Sequence, residues 1–222
     1  MTVFAKDVAQ LPDWQQRIWV AHNVVPDGGV ADELYAAQIK AEWATSVAPE
    51  TKLRANVEAL QTRLKALYGD DLVRDHDAVE RLFTQAHRFA ALDARGLLSL
   101  AKNLFRLTAE RFDETKINDL LRLKGNDRLG SLKSLERLAA THIGKDVAYQ
   151  LFTFLHGVAD LRQADSHLPR TDLEEAYSRC GIDPSAPHVV QAQQLIATVA
   201  AVIGRIIVAF PQAPPACTPA AP

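Results

Sequence analysis

TKLRANVEALQTRLKALYG, residues 51–69, carries apolar side chains at Leu53, Val57, Leu60, Leu64 and Leu67. Steps of three and four return to one side of a helix and do not give the alternation of a half-buried strand. Gly69 stands where a left-handed residue closes such a helix. The spacing predicts a helix over 51–68 with one buried face, and the same period recurs along most of the chain.

A second helix is predicted over 75–92 through Val79, Leu82, Phe83 and Phe89, a third over 97–112, and a short one over 116–123. Leu132, Leu135 and Leu138 form the stripe of a helix over 132–141, with Ser131 as its N-cap. A long helix follows over 144–167. Its core face is read as Val147, Leu151, Phe154, Val158, Leu161 and Leu168. Thr171-Asp172-Leu173-Glu174 fits a capping box, predicting a helix over 172–179 that ends at Gly181. Pro187 opens the last helix, through Val190, Ile196, Val199, Val202, Ile203, Ile206 and Phe210. Its broad apolar surface suits the bundle centre or a dimer. The expected fold is all-α, a multi-helix bundle of about seven to nine helices.

Residues 1–50 depart from this pattern and are expected to form an irregular arm packed on the bundle of residues 51–210. All three tryptophans, Trp14, Trp19 and Trp43, lie there and are read as anchors, with short helices near 13–23 and 31–41 around a turn at Pro26-Asp27-Gly28-Gly29. Residues 211–222, PQAPPACTPAAP, have the composition of a disordered tail or linker, so the chain reads as one that can belong to something longer.

The 222 residues are 48% hydrophobic and 23% charged, the balance of a globular chain able to bury a core. A net charge of -2 provides no overall basic field, so any nucleic-acid site must be local. Cys180 and Cys217 sit in unlike surroundings and support neither a disulfide framework nor a four-ligand zinc site. Neither a signal segment nor a clean membrane span is read, since Gly204 and Arg205 interrupt the most apolar stretch, 195–210. The expectation is a cytoplasmic protein without cofactor, metal or membrane.

Few patterns carry chemistry. GNDRLGS, residues 125–131, has the glycine spacing of a phosphate loop but neither its Lys-Ser/Thr pair nor a preceding strand. His76, Glu80 and His87 lack the paired Glu-x-x-His units of a di-iron bundle and are read as surface residues. His22 and Asn23 are assigned to a turn. Residues 102–137 hold nine basic and six acidic side chains, read as a solvated face ahead of a phosphate track. What remains is LRQADSHLP, residues 161–169. At about 100° per residue, Arg162 and His167 stand about 140° apart on a straight helix. Asp165 is one turn from Arg162 and able to pair with it. His156, Asp160, Gln163 and His167 form a polar stripe opposite the core face. The plain reading makes Arg162 a salt-bridge partner and His167 a solvated residue near a helix C-terminus.

Arg162-Gln163-Ala164-Asp165-Ser166-His167 near the end of a long helix resembles the Arg-x4-6-His signature of the HEPN superfamily, over residues 131–210. The resemblance implies a metal-independent RNA endonuclease or RNA-binding effector of an antiviral or toxin–antitoxin system, with its site at a homodimer interface and an antitoxin or other protein as a further partner. Arg162 and His167 would be catalytic, with Gln163, Asp165, Asp160 and His156 binding substrate or supporting them. Where the family often has Asn, Asp or His after the arginine, this chain has Gln163. An imidazole titrating near ~6.5 suits transfer of a ribose hydroxyl proton, and a guanidinium suits the charge developing on phosphate. The alternative is a catalytically inert helical interaction or dimerisation domain of a larger protein.

Overall fold

The computed structural model describes residues 8–21, 35, 39–41, 48–69, 72–74, 78–167 and 170–212, with the backbone alone at 21, 165–167 and 170–172. The chain divides into two units, 1–47 and 48–222. In the first, α1 (Asp13–Ala21) is the described helix. Gln16 ties its first turn to the preceding chain by donating to the Ala9 and Leu11 carbonyls at 3.2 and 2.7 Å. Trp14 and Trp19 are largely exposed. Trp43 and most of the helix expected over 31–41 lie outside the described residues.

The second unit is an all-α bundle. Its helices are α2 (Pro49–Tyr68), α3 (Val79–Gln85), α4 (Ala94–Leu107), α5 (Glu114–Leu120), α6 (Ser131–Ile143), α7 (Lys145–His167), α8 (Arg170–Arg179) and α9 (His188–Ala209). Val73 and Phe112 form an isolated antiparallel bridge, and there is no β-strand among the described residues.

The opening stretch folds as its period predicts. Leu53, Val57, Leu60 and Leu64 of α2 are buried, and Gly69 closes the helix at φ 66° while its N–H donates to the Lys65 carbonyl. This face packs along α9, whose buried residues, among them Leu195, Ile196, Val199, Val202, Ile203 and Ile206, spread around much of its circumference. Asn56 Nδ2 donates to the Ala200 carbonyl at 2.8 Å where the two helices approach. Among the described residues α9 alone is long and apolar enough to cross a membrane by length and composition; half of that apolar window is buried within the bundle.

Several expected boundaries shift for local reasons. The helix expected over 75–92 is represented by α3 and a separate 3-10 turn at Arg88–Ala90, because the chain leaves helical geometry at Ala86 and His87. Phe89 is consequently exposed. Asp93 caps α4 by accepting from the Gly96 N–H at 2.7 Å, which starts that helix earlier than the apolar stripe suggests. Gly130, not Ser131, is the N-cap of α6. Thr171 lies within α8, which begins at Arg170, and so does not serve as its N-cap. The 125–130 segment is clamped by buried Asn118, whose amide donates to the Leu129 carbonyl and accepts from the Leu129 N–H.

The face of α7 also differs from the expected one. Ala148, Phe152, Leu155, Val158 and Leu161 are buried, whereas Val147 is 55% exposed. Four helices explain this: α7 packs against α4, α6, α8 and α9, so most of its circumference has a neighbour and a single stripe underdetermines its rotation.

Candidate functional site

Near the end of α7, Leu161 is buried and Arg162 emerges at the rim. Arg162 Nη2 lies 2.7 Å from Glu110 Oε1, and its guanidinium stands 4.8 Å from the centroid of the Phe105 ring on α4. A carboxylate at the edge and a ring below define the orientation of a planar cation. The Arg162 side chain nevertheless keeps 40% of its surface exposed. The described partner of Arg162 is Glu110, from the turn after α4; the expected pairing with Asp165 falls on a side chain outside the described residues. Gln163 is exposed. His167 is the last residue of α7; its side chain and that of Asp165 lie outside the described residues.

The stripe on the other side of α7 is engaged in cross-helix pairing. His156 Nε2 lies 2.7 Å from Glu136 Oε2 on α6. Arg179 Nη1 on α8 donates to Asp160 Oδ2 at 2.7 Å, and Arg179 also pairs with Glu175. His156 and Asp160 are partly buried. Both pairs line a groove of about 480 Å³ between α6, α7 and α8, together with Lys133, Arg137, Lys145, Tyr149 and Thr153. Four cations face two carboxylates in that wall. Lys133, Arg137 and Lys145 make no ion pair with a described residue, so their charge is available to an anionic ligand.

Behind the groove, Cys180 lies fully buried against α7. Burial, reinforced by the Asp160 charge, pushes its thiol up to about 12 despite the opposing charge of Arg179. A neutral buried thiol is a packing group and not a nucleophile. Elsewhere, Glu80 pairs with Arg54 at 2.6 Å, and His87 stands 6.5 Å from the Phe89 ring; His22, Asn23 and His76 are outside the described residues.

The structure therefore joins His156 and Asp160 to one groove and gives Arg162 different neighbours, at the end of α4. Glu110, Glu136 and Arg179 were not foreseen as partners. Their separations in sequence from α7 carry no periodic signal, although Glu136 and Glu110 fall in the charged 102–137 stretch. Comparison with protein-family profiles, curated proteins and solved structures finds no match for this chain.

Proposed function

We propose that this chain is a HEPN-like effector that binds RNA and cleaves it without a metal, working as a homodimer through Arg162 and His167. The observation that carries this reading is the state of Arg162: oriented by Glu110 and Phe105 yet 40% exposed. A guanidinium fixed in this way meets a phosphate with less conformational loss than a freely rotating one. The chemistry needs a base to take the ribose 2′-hydroxyl proton. The alkoxide then attacks phosphorus, the 5′-oxygen leaves with a proton, and a cyclic phosphate remains. His167 has the side chain for the proton transfer, and Arg162 offsets charge on the phosphoryl oxygens. A second subunit supplies the histidine to the arginine of the first. Lys133, Arg137 and Lys145 in the α6–α8 groove hold the flanking backbone.

A catalytically inert interaction domain is the second reading. It is favoured by the pairing of His156 with Glu136 and of Asp160 with Arg179, which gives both residues a structural task. The two readings separate in one experiment: purified protein with mixed cellular RNA in excess EDTA, beside His167→Ala, Arg162→Gln and Arg162→Lys variants shown to be folded by circular dichroism. Cleavage leaving cyclic phosphate ends, abolished by His167→Ala and Arg162→Gln, supports the nuclease. RNA left intact by the native homodimer, or cleavage that survives both substitutions, favours the interaction domain.

A further inference from the structure

Tyr149 leaves 61% of its surface exposed, and it lines the α6–α8 groove beside Lys133, Arg137 and Lys145. On α7 the groove residues Lys145, Tyr149, Thr153, His156 and Asp160 follow at steps of four, four, three and four, so one stripe of this helix forms a continuous wall. Position 165 lies about 140° round a straight helix from Asp160, off that stripe. The facing wall is α6, where Lys133 and Arg137 are one turn apart, about 6 Å along the axis.

Two of these cations are placed against the grain of their helices. Lys133 lies in the first turn of α6, which holds no acidic residue, and Lys145 opens α7 ahead of Asp146. The helix dipole disfavours a positive charge at both positions. Lys133, Arg137 and Lys145 are all exposed, and none makes a hydrogen bond or ion pair with a described residue. The described carboxylates of the wall are already engaged, Glu136 with His156 and Asp160 with Arg179. An anion laid along the groove would offset the unfavourable placement of the lysines.

We infer that this groove takes an unpaired stretch of RNA, with Lys133, Arg137 and Lys145 on its phosphates and Tyr149 stacked on a base. The inference rests on the RNA-binding part of the proposed function and needs none of its cleavage chemistry. A row of cations one helical turn apart suits the regularly spaced phosphates of an extended strand, and an exposed aromatic among them is the pairing that holds single strands. Only an unpaired strand offers a base face, since a duplex keeps its bases stacked on one another. The groove, at about 480 Å³, is within the size range of sites for small ligands and so accommodates a nucleotide unit of the strand. Stacking accepts any base, so the groove selects strand state and not sequence.

Fluorescence anisotropy of the full chain tests this, in a His167→Ala background that keeps the probe whole, with one short labelled RNA presented unpaired or annealed to its complement. The unpaired form should bind at least about tenfold more tightly than the duplex. Lys133→Gln and Arg137→Gln change exposed side chains; each should weaken binding and reduce the steepness of its salt dependence by about 0.7 in log–log slope. Tyr149→Ala should weaken binding by about tenfold at unchanged slope, and Tyr149→Phe should restore it. Circular dichroism verifies the fold of every variant. No binding of either RNA form, equal affinity for both, or affinity unmoved by these substitutions overturns the inference. Tighter binding of a labelled poly-glutamate peptide than of the RNA also overturns it and assigns the groove to an acidic protein segment. Groove-dependent binding by a chain whose native form leaves RNA intact upholds the groove and removes the nuclease; cleavage without groove-dependent binding does the reverse.

Discussion

Glu110 pairs with Arg162 at 2.7 Å and faces Arg106 at 3.9 Å, so one carboxylate links the edge of α7 to the last turn of α4. Both side chains of the shorter pair are about one-third exposed or more, and exposed ion pairs contribute little to stability. Glu110→Gln should therefore change unfolding free energy by less than about 1 kcal/mol in a denaturant titration. Its functional effect should be larger. With Arg162 no longer oriented, RNA cleavage should fall by about tenfold in kcat with little change in KM, as for a positioning residue. Unchanged cleavage kinetics would separate Arg162 orientation from turnover. Cys180 makes a simpler case. Its thiol is fully buried and pushed up to about 12, so in a Cys217→Ser background a thiol reagent at pH 8 should label the protein only at the rate of unfolding. Rapid labelling under native conditions would contradict that burial.

Between elements, the contact of α7 with α8 depends on Gly157. A Cβ there would meet Cys180 Sγ and Arg179 Cβ, each at 2.9 Å. Both lie on the partner segment, and Arg179 is the residue that reaches Asp160. In an exposed helix, alanine would be the better residue by about 1 kcal/mol. Here the close approach should dominate, and Gly157→Ala should destabilise by about 1–3 kcal/mol through overpacking. Denaturant midpoints of the native chain and this variant provide the check; a gain in stability would mean that α8 can move away at little cost. The glycine's role was not legible in the helical period, which marks a face but not what approaches it. The same limit appears along α7. A helix with one covered side, such as α2, declares Leu53, Val57, Leu60 and Leu64 correctly. A helix with four neighbours does not, and its buried set contains Phe152 and Leu155 while Val147 is exposed.

Across the whole bundle, local period and turn chemistry made the all-α class legible, because each helix writes its apolar face into its own residues. The candidate site was legible only in part. Arg162, His156 and Asp160 stood out on α7, but their described partners Glu110, Glu136 and Arg179 come from other helices or turns. A further long-range connection crosses the bundle at Arg88. Its N–H, Nε and Nη2 donate to the Glu50 carboxylate at 3.2, 3.0 and 2.9 Å, while Nη1 donates to Gln193 Oε1 at 2.9 Å. The first turn of α2, the 3-10 turn and the first turns of α9 are thereby joined. Burial raises the Glu50 carboxyl, but the hydrogen bonds and charge of Arg88 outweigh it and hold the group below its usual range. A lowered native value means that the unfolded chain takes up the proton first as pH falls. The stabilisation is therefore complete above the unfolded carboxylate value of about 4.3 and is lost as pH drops through the native one. Glu50→Gln should cost about 2 kcal/mol at pH 7, from the loss of charge-assisted bonds. The gap between native and variant unfolding midpoints should then narrow steadily from pH 5 to about pH 3. A gap that stays constant across that range would assign the cost to packing at α2 and not to the ionised carboxylate.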